Sequence, residues 1–176
     1  MDHNDLYPTW PLAHVPHPML SSSEEERYRY LQILTLLIDA DDIILNEEID
    51  FLQRMVTQLE MPNGTLGQLL KSVEQPSEDE LRKALVAFFD RRGVALMVDL
   101  IMVAWSDEEF HPKERQFIMN CAKLLGVTLD QLELLLQLVT AIREEDIAEL
   151  QRLLETMPRH RMEPDFLQFY WSSLPF

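Results

Sequence analysis

Ala40-Asp41-Asp42-Ile43-Ile44-Leu45-Asn46-Glu47-Glu48 and Ser106-Asp107-Glu108-Glu109-Phe110-His111-Pro112-Lys113-Glu114 are the two stretches that decide the fold. In each, an Asp precedes a Glu by seven positions, and each lies where one apolar stretch with helical spacing ends and another begins. Asp41 and Asp107 are 66 positions apart, as are Glu48 and Glu114. Two similar acidic loops therefore recur in one chain.

The apolar positions keep the same offset outward from the loops. Leu34 and Leu37 fall on Leu100 and Val103, Phe51 on Phe117, Leu52 on Ile118 and Leu59 on Leu125. Farther on, Leu66, Leu69, Leu70 and Val73 fall on Leu132, Leu135, Leu136 and Val139. An ungapped register carried through several helices and loops predicts a tandem duplication, with repeats at about 29–92 and 95–158. The spacing is helical and only four glycines are present, so the expected fold is all-α. One repeat alone would bury little surface, so both are expected to share one core in a single helical domain.

Local signals place the helix starts. Ser23 with Glu26, Ser77 with Glu80 and Thr128 with Gln131 have capping-box spacing. Helices are expected from Ser23 through Ile38, Asn46 to Leu59, Leu66 to Val73, Ser77 to about Gly93, Val94 to Trp105, Pro112 to Gly126, after Thr128, and Glu144 to Met157. Residues 1–22 read as a Pro-rich arm, residues 23–158 as the helical domain and residues 159–176 as an aromatic tail. Trp10, Leu12, Val15 and Met19 suggest that the arm packs on the domain. His14 and His17 have no neighbouring Cys or His and are read as incidental. Phe166, Phe169, Tyr170, Trp171 and Phe176 make the tail a core-capping segment, or else a docking patch.

The formal net charge of −16 argues against nucleic acid, whose phosphates need Lys and Arg, and against anionic membranes. It suits divalent cations or basic protein partners. Cys121 is the only cysteine; it aligns with Met55 on an apolar stripe and is read as a core residue. No basic stretch followed by an apolar run opens the chain and no run would span a bilayer, so the expected location is the cytoplasm, without membrane insertion. Oligomeric state is not readable from the chain.

An acid at the C-terminal end of a helix meets the negative end of the helix dipole, at about 0.3–1 kcal/mol each when exposed. Asp39, Asp41 and Asp42 stand at such an end, as do Asp107, Glu108 and Glu109. A hard divalent cation with oxygen ligands would offset the repulsion, and Glu48 and Glu114 in the next first turn could close on it. The same residues could instead cap their own loops. Neither loop is an EF-hand: from Asp39 the sixth residue is Ile44, where Gly is required, and the twelfth is Asp50; from Asp107 the twelfth is Ile118. A di-iron bundle needs two Glu-x-x-His pairs, and only Glu108-x-x-His111 occurs. There is no Gly-rich phosphate loop and no Gly-x-Ser-x-Gly elbow, so no enzyme is expected.

A helix ending in Ala-Asp-Gly-x-Ile, followed by a Glu opening the next helix, resembles the signature of the tellurite-resistance TerB family. The two quoted stretches carry that resemblance, and it covers the chain apart from the arm and the tail. It implies an all-helical fold with pseudo-two-fold symmetry and an acidic cluster taking a divalent metal (Ca, Mg, Mn or Zn). It further implies a role as a stress-response or scaffold component, docked on a protein partner or a membrane-associated complex. The positions carried over as metal ligands are Asp41, Glu48, Asp107 and Glu114. Asp42 and Glu108 stand where the motif has Gly, so side chains occupy a position where Gly would permit positive φ.

Overall fold

Ser23 accepts the Glu26 N–H at 3.2 Å and Glu26 accepts the Ser23 N–H at 3.2 Å, so the first helix starts on the predicted capping box. Ser77 with Glu80, and Thr128 with Gln131, do the same. The computed structural model describes residues 15–106 and 110–174. Among them are α1 (Glu24–Ile38), α2 (Asn46–Gln58), α3 (Thr65–Ser72), α4 (Glu78–Leu85), α5 (Arg92–Ala104), α6 (Pro112–Leu125), α7 (Leu129–Arg143) and α8 (Ile147–Thr156), and no strand. Tight 3-10 turns cover Asp39–Asp41, Val86–Phe88, Met157–His160 and Pro164–Trp171. The protein is all-α, and its helices share one core.

α5 is apolar almost all round and α1 is apolar over its second half, which marks both as central. α1 buries Tyr30, Leu31, Ile33, Leu34, Leu37 and Ile38, and α5 buries every residue from Ala95 to Ala104. These two pack on each other; α2 lies against α1, α6 and α7 against α5, and α8 against α7. The outer helices are amphipathic. α2 turns Phe51, Leu52 and Met55 inward, and α6 turns Phe117, Ile118 and Cys121 inward. These residues match pairwise across the 66-position offset. Burying each such phenylalanine stabilises the fold by about 1.5–3 kcal/mol.

Helix endings recur at the same offset. α6 closes on Gly126 (φ 74), with Val127 N–H donating to Ala122 O at 2.8 Å and Gly126 N–H to Lys123 O at 3.2 Å. This is a Schellman ending, which favours Gly because the closing residue is left-handed. α2 ends the same way on Glu60 (φ 51), with Met61 N–H on Val56 O at 3.1 Å.

The structure divides the helix expected from Ser77 to Gly93. α4 stops at Leu85, the Val86–Phe88 turn redirects the chain, and α5 starts at Arg92. Gly93 thus lies in a first helical turn instead of at a helix end. A Cβ there would sit 2.5 Å from the Phe88 carbonyl oxygen, so the close approach of turn and helix needs a residue without one.

Both flanking segments reach the core. Met19 is fully buried and His17 nearly so, while the Pro164–Trp171 turn buries Leu167, Phe169, Tyr170 and Trp171. Trp10, Leu12, His14 and Phe176 lie outside the described residues.

Candidate functional site

The first acidic loop leaves α1 through the Asp39–Asp41 turn and packs against α6, the helix that follows the second loop. The first acidic loop, far away in sequence, therefore neighbours the α6 end of the second motif. Asp42 Oδ2 lies 3.7 Å from Lys113 Nζ, with both side chains mostly exposed. Such an exposed pair is worth at most about 1 kcal/mol.

Asp42 adopts φ 62, the left-handed conformation. The position where the resembling motif carries Gly thus takes the backbone that Gly takes most easily. Asp tolerates this region better than most residues. Asp41, beside it, accepts the Ile43 N–H on Oδ1 at 3.1 Å, the Asx-type closure available to an aspartate in a turn. Gln75 ties down the loop from outside, donating to Leu36 O and to Asp39 Oδ2, both at 3.0 Å.

Glu48 and Glu114 are each only 1% exposed. Glu48 Oε2 accepts the Leu45 N–H at 2.8 Å, and Glu114 Oε2 accepts the His111 N–H at 3.1 Å. At matching positions, each glutamate in the third helical position reaches back to the residue before its helix. That satisfies a backbone donor which the helix leaves unpaired. His111 assists, accepting the Lys113 N–H on Nδ1 at 3.2 Å. Asp107, with Glu108 and Glu109, lies outside the described residues.

The donor set suits a hard divalent cation, since Asp41, Glu48 and Glu114 offer carboxylate oxygens. One further observation bears on the fit. Ser106, which opens the second loop, is 5% exposed, and its buried Oγ has no hydrogen-bond partner among the described residues. A buried hydroxyl without a partner is costly, at about 1–3 kcal/mol. Among the described residues, no three His, Cys, Asp or Glu side chains gather as a metal-ligating group.

A family model described as tellurite resistance protein TerB matches residues 33–137. That span is more than half of the chain and includes both acidic loops. The chain belongs to the TerB family. No curated protein and no solved structure gives a match. The TerB match starts inside α1 and ends inside α7, so the segment before α1 and the tail after α8 lie beyond it.

The structure adds a buried polar cluster that the sequence reading did not assemble. Asp99, fully buried in α5, receives the Tyr170 hydroxyl at 2.9 Å, the Tyr30 hydroxyl, and His17 Nε2 at 2.9 Å, all on Oδ2. His17 Nδ1 accepts the Met19 N–H at 3.0 Å, which sets the ring proton on Nε2, facing Asp99. Burial, and then the charge of Asp99, push the Tyr170 hydroxyl well above its ordinary range. One signal was available: Asp99 is the only charge in the apolar run Val94–Ala104, and the residue 66 positions earlier is Ile33. Cys121 is buried, which pushes its thiol up to about 12 and keeps it from acting as a nucleophile at neutral pH.

No helix among the described residues is long and apolar enough to cross a membrane.

Proposed function

We propose that this TerB-family domain is a non-enzymatic scaffold or adaptor in a cytoplasmic stress response. In this reading its two acidic loops hold a divalent cation and present one docking face to a basic protein partner. The observation that carries it is the packing of the first loop against the helix that follows the second, with the Asp39–Asp41 turn against α6 and Asp42 beside Lys113. Asp41, Glu48, Asp107 and Glu114 would hold the cation, and Ser106 Oγ, without a partner among the described residues, would offer a further oxygen at the second loop. The cation would supply charge neutralisation where acids crowd the C-terminal ends of α1 and α5. The protein's own part is to fix the loops: Glu48 and Glu114 hold their backbones, and Asp42 turns the first one. His111 sits exposed with Nδ1 engaged as a helix cap, which supports a structural role over acid–base work. The family description links the domain to tellurite resistance.

A second reading, an adaptor without metal, has its own support. Asp41, Glu48 and Glu114 each already accept a backbone N–H, so the loops hold their shape without an ion. Titration calorimetry with Ca²⁺, Mg²⁺, Mn²⁺ and Zn²⁺ separates the two. The first predicts saturable heat that is lost in an Asp41→Asn, Asp107→Asn double variant. No heat and no thermal shift at millimolar metal would leave only the second.

A further inference from the structure

We propose that Asp99 is the common anchor of a clasp that couples the N-terminal strap to the C-terminal tail, so that the two segments open together. Residues 15–22 form the strap, and the Pro164–Trp171 turn forms the tail. They come from opposite ends of the chain and meet on one carboxylate. His17 Nε2 and the Tyr170 hydroxyl both bond Asp99 Oδ2 at 2.9 Å and lie 3.3 Å from each other. The Tyr170 hydroxyl also lies 3.2 Å from Ala95 O of the same helix.

Ring contacts reinforce the joint. The His17 ring packs edge-on against Phe169 at 5.0 Å, against Tyr170 at 5.9 Å and against Tyr30 at 5.8 Å. Removing the strap would therefore uncover Phe169 and Tyr170 and take one donor from a buried carboxylate. Removing the tail would strip the His17 ring of two aromatic walls. Buried polar networks of this kind are coupled, because losing one member weakens the bonds of the rest.

Each segment has a separate outer fastening. Arg92 donates to Ser22 Oγ at 3.1 Å and pairs with Glu26 at 3.1 Å, holding the strap where it enters α1. Arg91 pairs with Glu163 at 3.2 Å and lies 4.3 Å over the Phe166 ring, holding the start of the tail. Adjacent arginines at the start of α5 thus grip one segment each, while Asp99, two helical turns on, joins them. The arrangement makes the clasp a transmitting element: a partner that pulls one end free loosens the other.

Hydrogen exchange on the full chain tests this with Tyr170→Phe and His17→Leu, each of which keeps an apolar body in place. Removing one bond to a buried charge is expected to raise exchange by roughly tenfold or more. Tyr170→Phe should do so at the strap amides of Met19, Leu20 and Ser22, whose N–H groups bond within the strap. His17→Leu should do so at the tail amides of Ser172 and Leu174. The amides of α7, outside the clasp, should stay at the wild-type rate in both. Loosening confined to the mutated segment would overturn the coupling. An equal rise across the strap, the tail and α7 would overturn the clasp as a unit that opens by itself.

Discussion

His17 Nε2 and Asp99 Oδ2 are 2.9 Å apart, fully buried, and 82 positions distant in sequence. The contact makes a segment outside the TerB match part of the core. It also gives Asp99, a charge inside an apolar helix, a reason to be there: a buried carboxylate is tolerable only with hydrogen bonds, and here three donors converge on one oxygen.

Asp99→Ile, which places there the residue found 66 positions earlier, is predicted to destabilise the protein. The loss should be about 3 kcal/mol or more, since His17, Tyr30 and Tyr170 lose a shared acceptor. Urea unfolding followed by circular dichroism measures it. A loss below about 1 kcal/mol would mean that the cluster contributes little.

Tyr170 gives a pH dependence of definite sign. Its folded-state pKa is raised, from an ordinary value of 10.0, by burial and then by Asp99. Its contribution is intact below pH 10 and is lost as pH rises toward the folded value, because the unfolded chain releases its proton first. Stability should fall above pH 10, by up to about 1.4 kcal/mol per pH unit from this group. Tyr170→Phe should flatten that part of the profile, as read from urea midpoints at several alkaline pH values.

The matched helix ends predict opposite effects for two substitutions. Glu60 and Gly126 both close a helix in the left-handed region. Glu60→Gly should stabilise by about 0.5–1 kcal/mol and Gly126→Ala should destabilise by about 1 kcal/mol or more. Thermal unfolding of the two variants checks both signs.

What the chain disclosed in advance follows from how far each signal reaches. The boxes at Ser23, Ser77 and Thr128 are local, involving residues three apart, and all three form. Phe51 with Phe117, and Leu52 with Ile118, were legible because helical spacing of apolar residues, recurring at the 66-position offset, fixes which face turns inward, and all four are buried. The break before α5 was not legible: it depends on Gly93 approaching the Phe88 carbonyl across a turn, and Gly alone does not distinguish an approach from a stop. At the site, the reach-back of Glu48 and Glu114 was one of two readable roles. Both side chains have that geometry, whatever else their oxygens hold. The clasp was the least legible part, because pairing His17 and Tyr170 with Asp99 takes three segments that no spacing rule connects.

The most direct test of the acidic-loop proposal is a titration of the isotope-labelled full chain with Mn²⁺, whose unpaired electrons broaden nearby amide resonances. The account predicts saturable broadening centred on residues 39–48 and 106–114, abolished by Asp41→Asn with Asp107→Asn. Broadening that never saturates and spreads over all the acidic surfaces, or none at millimolar Mn²⁺, would contradict it.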